Sequence, residues 1–260
     1  MTVLDEIVER TRERLRAQTM DVEDVRRAAR DCAASRTPFA FRTALTAVSP
    51  AIIAEIKSAS PSAGSIVDDP DVEAIAGDYA RGGAAAISVV TEPEFFRGSR
   101  DWIVRAKAGS GLPAIMKDFI VEPSQIMAGI AAGADAILLL ASLLDARQIL
   151  HFIGLLEAYG CDALVEVHDE DELARAVEGG ARLIGVNNRD LRDFHVDLAT
   201  SERLSMRMPQ EAIRVTESGI RTRADIERLR AAGFHGFLVG ESLLRQADRA
   251  AAVRELVGAS

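Results

Sequence analysis

Gly133-Ala-Asp-Ala-Ile-Leu138 decides the fold, because it joins a glycine that ends a helix to an apolar strand. Glycine is the residue preferred just past a helix end, where the backbone turns left-handed. The short apolar run that follows is typical of a strand buried on both faces. The same pattern occurs three more times, at Gly83-Ala-Ala-Ala-Ile-Ser88, Gly180-Ala-Arg-Leu-Ile-Gly185 and Gly233-Phe-His-Gly-Phe-Leu238.

The spacing of this pattern indicates eight strands rather than four. The glycines at 83, 133, 180 and 233 lie 50, 47 and 53 residues apart, which is room for two strand–helix units each. Each interval contains a further apolar segment, at Leu112–Asp118, Ala163–Val167 or Ile213–Ser218, and Ala51–Lys57 precedes the first. Strict alternation of strands and helices predicts parallel strands joined by right-handed crossovers.

Eight such units predict an α/β fold of the closed (β/α)8 TIM-barrel type. An open doubly wound sheet is the alternative, but Ser58–Gly64 lacks the glycine fingerprint that follows the first strand of that fold. Residues 49–260 are expected to form the barrel, with Glu241–Leu256 as its last helix. Residues 1–48 are expected to be an N-terminal helical extension by their apolar periodicity, so that 1–260 is a single domain.

Composition excludes several classes of protein. With 48% hydrophobic and 27% charged residues, the chain can build a large core. A net charge of −9 argues against nucleic-acid binding, which needs a basic face. The apolar run Ala136–Leu144 is too short to span a bilayer, and two cysteines are too few for a disulfide framework or a cysteine-based metal site. We therefore expect a cytoplasmic protein that binds neither nucleic acid nor membranes.

Polar side chains collect where the predicted strands end. In a barrel, the carboxyl ends of all strands open on one face, and catalytic groups lie there. A single pair such as Glu55 and Lys57, which share one face of a strand, is equally typical of a structural ion pair. Six strands ending in ionisable or amide groups indicate an active site instead. These groups are Glu55 and Lys57, Thr91 and Glu92, Lys117 and Asp118, Glu166, Asn187 and Asn188, and Glu217 with Ser218.

Two glycine turns predict a phosphate site. Gly219 and Gly240 follow the seventh and eighth strands, where barrels commonly bind phosphate through backbone N–H groups. For Glu241 we expect only the N–H to face the phosphate.

The aromatic pair in Phe95-Phe96-Arg-Gly-Ser99 is expected to line the barrel mouth. The four histidines lack metal-ligand spacing, and His168 is interpreted as a solvated loop residue.

Taken together, these segments resemble the indole-3-glycerol phosphate synthase family. Ala59 and Ala63 depart from the family pattern, in which many members carry further lysines at these positions. The matching segments lie in order within residues 51–242: Glu55-Ile-Lys-Ser-Ala-Ser-Pro-Ser62, Ile87-Ser-Val-Val-Thr-Glu92, Phe95-Phe-Arg-Gly-Ser99, Lys117-Asp-Phe-Ile120, Gly133-Ala-Asp-Ala-Ile-Leu138, Leu164-Val-Glu-Val-His168, Gly185-Val-Asn-Asn-Arg-Asp-Leu191 and Glu217-Ser-Gly-Ile220.

The resemblance implies conversion of 1-(2-carboxyphenylamino)-1-deoxyribulose 5-phosphate to indole-3-glycerol phosphate with loss of carbon dioxide and water, without metal or cofactor. It implies Lys117 as the acid of ring closure and Lys57 as the acid of dehydration and partner of the substrate carboxylate. Glu55 and Glu166 are the base and the orienting carboxylate, in either order, and Asn187 binds a sugar hydroxyl. Expected substrate contacts are Ser60, Phe95, Phe119, Arg189, Glu217 and Ser218, and expected phosphate contacts are Ser60, Gly219, Gly240 and Glu241.

Two other classes of function stay open from the residues. An isomerase of a phosphorylated sugar, such as phosphoribosylanthranilate isomerase, would share the barrel and the phosphate site but needs only one acid–base pair. A non-catalytic phosphosugar-binding barrel would keep the glycines and has no use for Lys117 or Glu166. The expected partner is a small phosphorylated substrate, and the expected state is a monomer or a weak homodimer.

Overall fold

The computed structural model describes residues 2–17, 21–190 and 194–258, and these form a closed barrel of eight parallel strands. Around the barrel the strands follow the order β1-β10-β9-β8-β7-β6-β5-β4, and β2 and β3 form a separate hairpin. The (β/α)8 barrel predicted from the sequence is confirmed. The strands are β1 (Ala51–Ile56), β2 (Ala59–Ser60), β3 (Gly64–Ser65), β4 (Ala86–Val90), β5 (Ala114–Lys117), β6 (Ala136–Leu140), β7 (Asp162–Val167), β8 (Leu183–Asn187), β9 (Ile213–Glu217) and β10 (Gly236–Val239).

Helices cover the outside of the barrel and precede it. The helices are α1 (Val3–Ala17), α2 (Val22–Ser35), α3 (Ala40–Ala47), α4 (Val72–Arg81), α5 (Asp101–Ser110), α6 (Pro123–Ala131), α7 (Ala146–Glu157), α8 (Glu170–Glu178), α9 (Ala199–Ser205), α10 (Arg223–Ala231), α11 (Glu241–Leu244) and α12 (Arg249–Val257). The first three precede β1, as the extension predicts. The single helix expected over Glu241–Leu256 is wrong: it is divided into α11 and α12, because Asp248 caps a new helix by accepting a hydrogen bond from the N–H of Ala251.

The four helix-ending glycines behave as their positions predict. Gly83, Gly133, Gly180 and Gly233 have φ values of 91°, 91°, 80° and 89°. Residues with a Cβ avoid this left-handed region, so glycine reverses the chain from each helix into the next strand at no steric cost.

Two apolar layers follow from the alternation of side chains along the strands. Ile53, Ile115 and Leu164 belong to one buried cluster inside the barrel. Their neighbours along the chain, such as Ile52 and Met116, belong to a second cluster between strands and helices. A shift of one residue along a strand would exchange the two layers. The alternation therefore also determines which side chains at the strand ends point into the barrel.

Helix α3 closes the end of the barrel where the strands begin. Its Phe41 and Leu45 are fully buried in the inner cluster, and Arg42 forms an ion pair with the buried Asp162. With this end closed, the barrel opens to solvent at the carboxyl ends of its strands.

Candidate active site

A cavity of about 440 Å³ lies at the carboxyl ends of the barrel strands. Its floor is formed by strand-end side chains, and its walls by the loops that follow them. Of the residues predicted to act on substrate or phosphate, the lining includes all but Phe95: Glu55, Lys57, Ser60, Lys117, Phe119, Glu166, Asn187, Arg189, Glu217, Ser218, Gly219, Gly240 and Glu241.

Lys117 lies at the centre of the cavity floor, among carboxylates from three other strands. Its Nζ is 2.6 Å from Glu217 Oε2, 3.6 Å from Glu166 Oε2 and 3.8 Å from Glu55 Oε2. These four residues come from β5, β9, β7 and β1, far apart in sequence. The three carboxylates are at most 4% exposed, so their charges interact without much screening by water.

These contacts set the ionisation of the cluster. Burial disfavours the ammonium of Lys117, but attraction to three carboxylates outweighs it and raises the pKa of that group above its usual value. Burial likewise disfavours the charged form of Glu55, yet Lys57 and Lys117 lower the pKa of that carboxyl below its usual range. At neutral pH the free site therefore holds a protonated Lys117 beside an ionised Glu55.

Glu166 and Glu217 have pKa values shifted in opposite directions. Burial opposes ionisation of Glu166, but Lys117, His168 and Asn187 outweigh it and lower its pKa to about 2. For Glu217 burial and the charge of Glu166 prevail over Lys117, and its pKa is raised to about 7. Glu217 Oε1 also has no hydrogen-bond partner among the described residues. At neutral pH Glu166 can accept a proton, whereas Glu217 holds one part of the time.

Lys57 forms a second charged pair at the rim of the cluster. Its Nζ donates a 2.6 Å hydrogen bond to Glu55 Oε1. Gly240 leaves the space for this pair, since a Cβ at that position would lie 2.5 Å from Glu55 Oε1 and 3.2 Å from Lys57 Nζ. Gly240 therefore leaves room for the ion pair of Glu55 and Lys57, in addition to forming the turn after β10.

His168 is not the solvated loop residue that the sequence suggested. Its side chain is only 14% exposed, and Nε2 lies 3.3 Å from Glu166 Oε1. The prediction is wrong because β7 ends at Val167 and His168 lies between that strand and the buried carboxylate of Glu172 in α8. Two acidic neighbours outweigh burial and raise the pKa of His168 to about 10.

The turns after β9 and β10 form one wall of the cavity. Ser218 and Gly219 have φ values of 65° and 83°, so two successive residues of the turn after β9 are left-handed. The carboxylate of Glu241 accepts a 2.9 Å hydrogen bond from Arg245 Nε, so it already has a cationic partner. Arg221 also lines this wall, although no motif in the sequence marked it.

The aromatic wall differs from the prediction in one residue. Phe96, rather than Phe95, is among the described residues that line the cavity, and its ring packs 6.0 Å from that of Phe119 at 40°. The buried Glu92 carboxylate accepts the N–H groups of Phe95 and Phe96 at 2.7 and 3.0 Å. This contact fixes the path of the loop, and the path decides which of two adjacent rings faces inward.

The N-terminal extension reaches the site, which the sequence did not predict. Leu4 and Ile7 of α1 line the cavity, and Arg14 of the same helix lies 3.5 Å from Glu92 and 3.1 Å from Glu94. The available signal was the apolar stripe along α1, whose buried face includes Ile7.

Asn187 and Asn188 have different roles although they are adjacent. Asn187 Nδ2 donates a 3.1 Å hydrogen bond to Glu166 Oε1 inside the cavity. Asn188 is not part of the cavity lining, and its side-chain amide donates hydrogen bonds to the backbone oxygens of Glu217 and Ser218, which supports the turn after β9. Arg189 lines the cavity, whereas Leu191, the last residue of the same motif, lies outside the described residues.

No cluster of three or more metal-ligating side chains occurs among the described residues. In the same part of the chain, each helix is too short or too polar to cross a bilayer.

Comparisons with known proteins identify the relatives of this chain. The family model for indole-3-glycerol phosphate synthase matches residues 4–256. An indole-3-glycerol phosphate synthase of Koribacter versatilis is 47% identical over 229 residues, covering 87% of this chain and 88% of that protein. One from Lachnoclostridium phytofermentans is 39% identical over 266 residues, covering 98% of both.

Solved structures with a similar fold are more distant in sequence. A 3-hexulose-6-phosphate synthase superposes with a TM-score of 0.59 at 21% identity, covering 80% of this chain and 99% of its own. A thiamine phosphate pyrophosphorylase from Pyrococcus furiosus gives a TM-score of 0.58 at 16% identity, with 80% and 93% covered. At these identities the likeness shows the barrel fold alone.

Proposed function

The chain belongs to the indole-3-glycerol phosphate synthase family, and from that premise we propose how its own residues perform the reaction. Its activity is that of an indole-3-glycerol-phosphate synthase, a carboxy-lyase of tryptophan biosynthesis. The observation that carries the mechanism is the placement of Lys117 Nζ within 2.6–3.8 Å of three buried carboxylates, with Lys57 beside them.

We assign the substrate phosphate to the wall formed by the turns after β9 and β10. Backbone N–H groups of Gly219 and Gly240 are suited to a phosphate, and glycine lets the anion approach closely. Ser218 can donate a hydroxyl hydrogen bond from the same wall, and Ser60 can do so from the hairpin of β2 and β3, which also lines the cavity. The carboxylate of Glu241 is held by Arg245, which supports a contact through its N–H alone. The anthranilate ring then lies against Phe96 and Phe119 at the other end of the cavity.

Ring closure requires a proton at the ketone oxygen while the aromatic carbon that bears the carboxylate attacks the ketone carbon. The new carbon–carbon bond forms, and the carbonyl electron pair moves to oxygen, which takes a proton from Lys117. Lys117 is protonated at neutral pH, and Glu217 holds it at 2.6 Å. Carbon dioxide then leaves, and its bonding electrons move to the cyclic iminium.

Dehydration requires an acid for the departing hydroxyl and a base for the adjacent ring proton. Lys57 supplies the acid and, before that, a cation for the substrate carboxylate. Both candidate carboxylates are ionised, and we assign Glu166 as the base because Asn187 orients it through Oε1 and leaves Oε2 facing the centre of the cavity. Glu55 is then the orienting carboxylate, since its Oε1 holds Lys57 at 2.6 Å.

The remaining assignments are part of the same proposal. Asn187 binds a sugar hydroxyl, and Arg189 positions the substrate from the loop after β8. We also propose that residues 1–260 act as one domain, in the cytoplasm, as a monomer or weak homodimer without nucleic acid. The net charge of −9 and the free thiols of Cys32 and Cys161 support this setting.

The test replaces Lys117 by methionine and follows indole fluorescence after enzyme and substrate are mixed. Turnover is expected to fall by ~10²–10⁴, the usual contribution of a general acid, while substrate binding changes far less. Lys107→Met is the matched control. Lys107 lies on the outer helix α5, and it also pairs with a buried carboxylate, that of Asp135 at 2.7 Å. That control is expected to cost stability and leave turnover unchanged. Full activity of Lys117→Met would refute the assignment.

A further inference from the structure

His168 connects the cavity floor to helix α8 through two carboxylates. Its Nδ1 lies 2.9 Å from Glu172 Oε2, and its Nε2 lies 3.3 Å from Glu166 Oε1. Both ring nitrogens therefore face an acidic oxygen. Nε2 is buried and makes no hydrogen bond among the described residues, so its contact with Glu166 is an ion-pair contact. The imidazole lies outside the cavity lining, behind the carboxylate proposed as the base.

The contacts of Glu166 divide its two oxygens between support and chemistry. Oε1 accepts a 3.1 Å hydrogen bond from Asn187 and faces His168, whereas Oε2 faces Lys117 at 3.6 Å. The hydrogen bond from Asn187 and the charged contact with His168, both at Oε1, restrict rotation of the carboxylate about its last side-chain bond. Its second oxygen is therefore directed toward the centre of the cavity.

We propose that His168 is a positioning residue for Glu166, and that Glu172 of α8 fixes the orientation of its ring. The inference rests on the proposed function, because it gives His168 a role only if Glu166 acts on the substrate. The arrangement is a carboxylate–imidazole–carboxylate chain: Glu172 lies on α8, Glu166 lies on β7, and the ring of His168 lies on the short connection between them.

If the role of His168 were purely structural, it would be to cap the N-terminus of α8. Another residue already caps this helix. Asp169 caps the helix by accepting the N–H of Glu172 at 2.9 Å. Glu172 Oε2 in turn accepts the backbone N–H of His168 at 2.8 Å, a contact that any residue at position 168 would make. The contact to Glu166, by contrast, requires a side chain with a donor at the place of Nε2.

The charge of the ring contributes to the function. The groups that face His168 are Glu166 and Glu172, with Lys117 on the far side of Glu166. Burial disfavours the imidazolium, but the two carboxylates raise its pKa to about 10, so the ring is cationic at neutral pH. A cation at this place stabilises the ionised form of Glu166, which is the form that the proposed function requires.

The test compares His168→Phe, His168→Gln and Glu166→Gln by steady-state kinetics across pH. In His168→Phe we expect kcat to fall about tenfold or more, short of the ~10²–10⁴ of a lost general base, with KM within threefold. In His168→Gln the amide can still donate to Glu166, so most of kcat is expected to return. Because the cation is gone, the pKa of Glu166 rises and the acid limb of kcat/KM moves to higher pH, by about 1–3 on the pH scale.

A double variant distinguishes an effect of His168 through Glu166 from a loss of activity caused by a structural change elsewhere. If His168 acts through Glu166, then His168→Phe combined with Glu166→Gln should be no slower than Glu166→Gln alone. Gln148→Ala is the matched control, since Gln148 also contacts the N-terminus of its helix, α7, but is not among the residues that line the cavity. It is expected to lower stability slightly and leave kcat unchanged.

Several results would overturn the inference. Turnover of His168→Phe within twofold of the parent, or an effect that adds in full to that of Glu166→Gln, shows that the ring does not act through Glu166. If the phenylalanine variant does not fold, an unmoved acid limb in His168→Gln refutes the proposal. Full activity of Glu166→Gln instead refutes the role of Glu166 in the proposed function, which is a distinct failure.

Discussion

The pKa of Glu217 is raised in the folded protein. We therefore predict that the contribution of this residue to the free energy of unfolding falls as pH rises. Its folded pKa of about 7 lies above the ordinary 4.5, so the folded state binds the proton more tightly than the unfolded chain does. The contribution to stability is therefore fully present below pH 4.5 and is lost as pH rises through 7. Because a tenfold difference in proton affinity corresponds to about 1.36 kcal/mol, the loss is about 3 kcal/mol.

Glu217→Gln removes this titration without changing the size of the side chain. The free energy of unfolding, measured by denaturant titration at pH 5, 6, 7 and 8, should fall more steeply with pH in the parent than in the variant. Between pH 5 and 8 the difference between the two proteins should change by about 2–3 kcal/mol in favour of the variant. Glu178→Gln, at the exposed end of α8, measures the effect of removing one negative charge alone. Parallel curves for the parent and Glu217→Gln would refute the reasoning.

Two further predictions concern the shape of the cavity. Gly240→Ala places a Cβ 2.5 Å from Glu55 Oε1, so Glu55 must move, and kcat should fall on the order of 10²-fold in the fluorescence assay while the thermal unfolding midpoint changes little. Unchanged kcat would show that the position of Glu55 is not critical. Phe96→Ala removes the ring that packs against Phe119 and should raise KM about three- to tenfold, whereas Phe95→Ala should leave KM nearly unchanged. Equal effects of the two would contradict the assignment of Phe96 to the cavity wall.

The fold could be predicted because its signals are local. A glycine such as Gly133 ends a helix through its own backbone, and the alternation around Ile53 and Glu55 needs only a few neighbouring residues. The barrel rule then converts strand ends into one face of the molecule. The same reasoning was wrong over Glu241–Leu256, where the N-cap Asp248 divides the segment into two helices.

The site could be predicted only as a set of residues on one rim. Phe95 and Phe96 are chemically equal in the sequence, and the choice between them depends on Glu92, which holds the loop by its N–H groups. From the sequence, His168 is interpreted as a loop residue. Its contact with Glu172, four residues later, forms only when α8 packs behind β7. Such contacts depend on the paths of loops, which short-range periodicity does not encode.

The sequence by itself determined that glutamates and lysines would meet at the open end of a barrel. Only the tertiary structure decided what each of them does. Glu166 and Glu217 both end a buried strand, yet one has a pKa of about 2 and the other of about 7. Glu166 accepts a hydrogen bond from Asn187 and lies 3.3 Å from the cationic ring of His168, whereas one oxygen of Glu217 has no hydrogen-bond partner among the described residues. Desolvation and Coulomb energies depend on distances of a few ångströms between segments remote in the chain, and folding sets those distances.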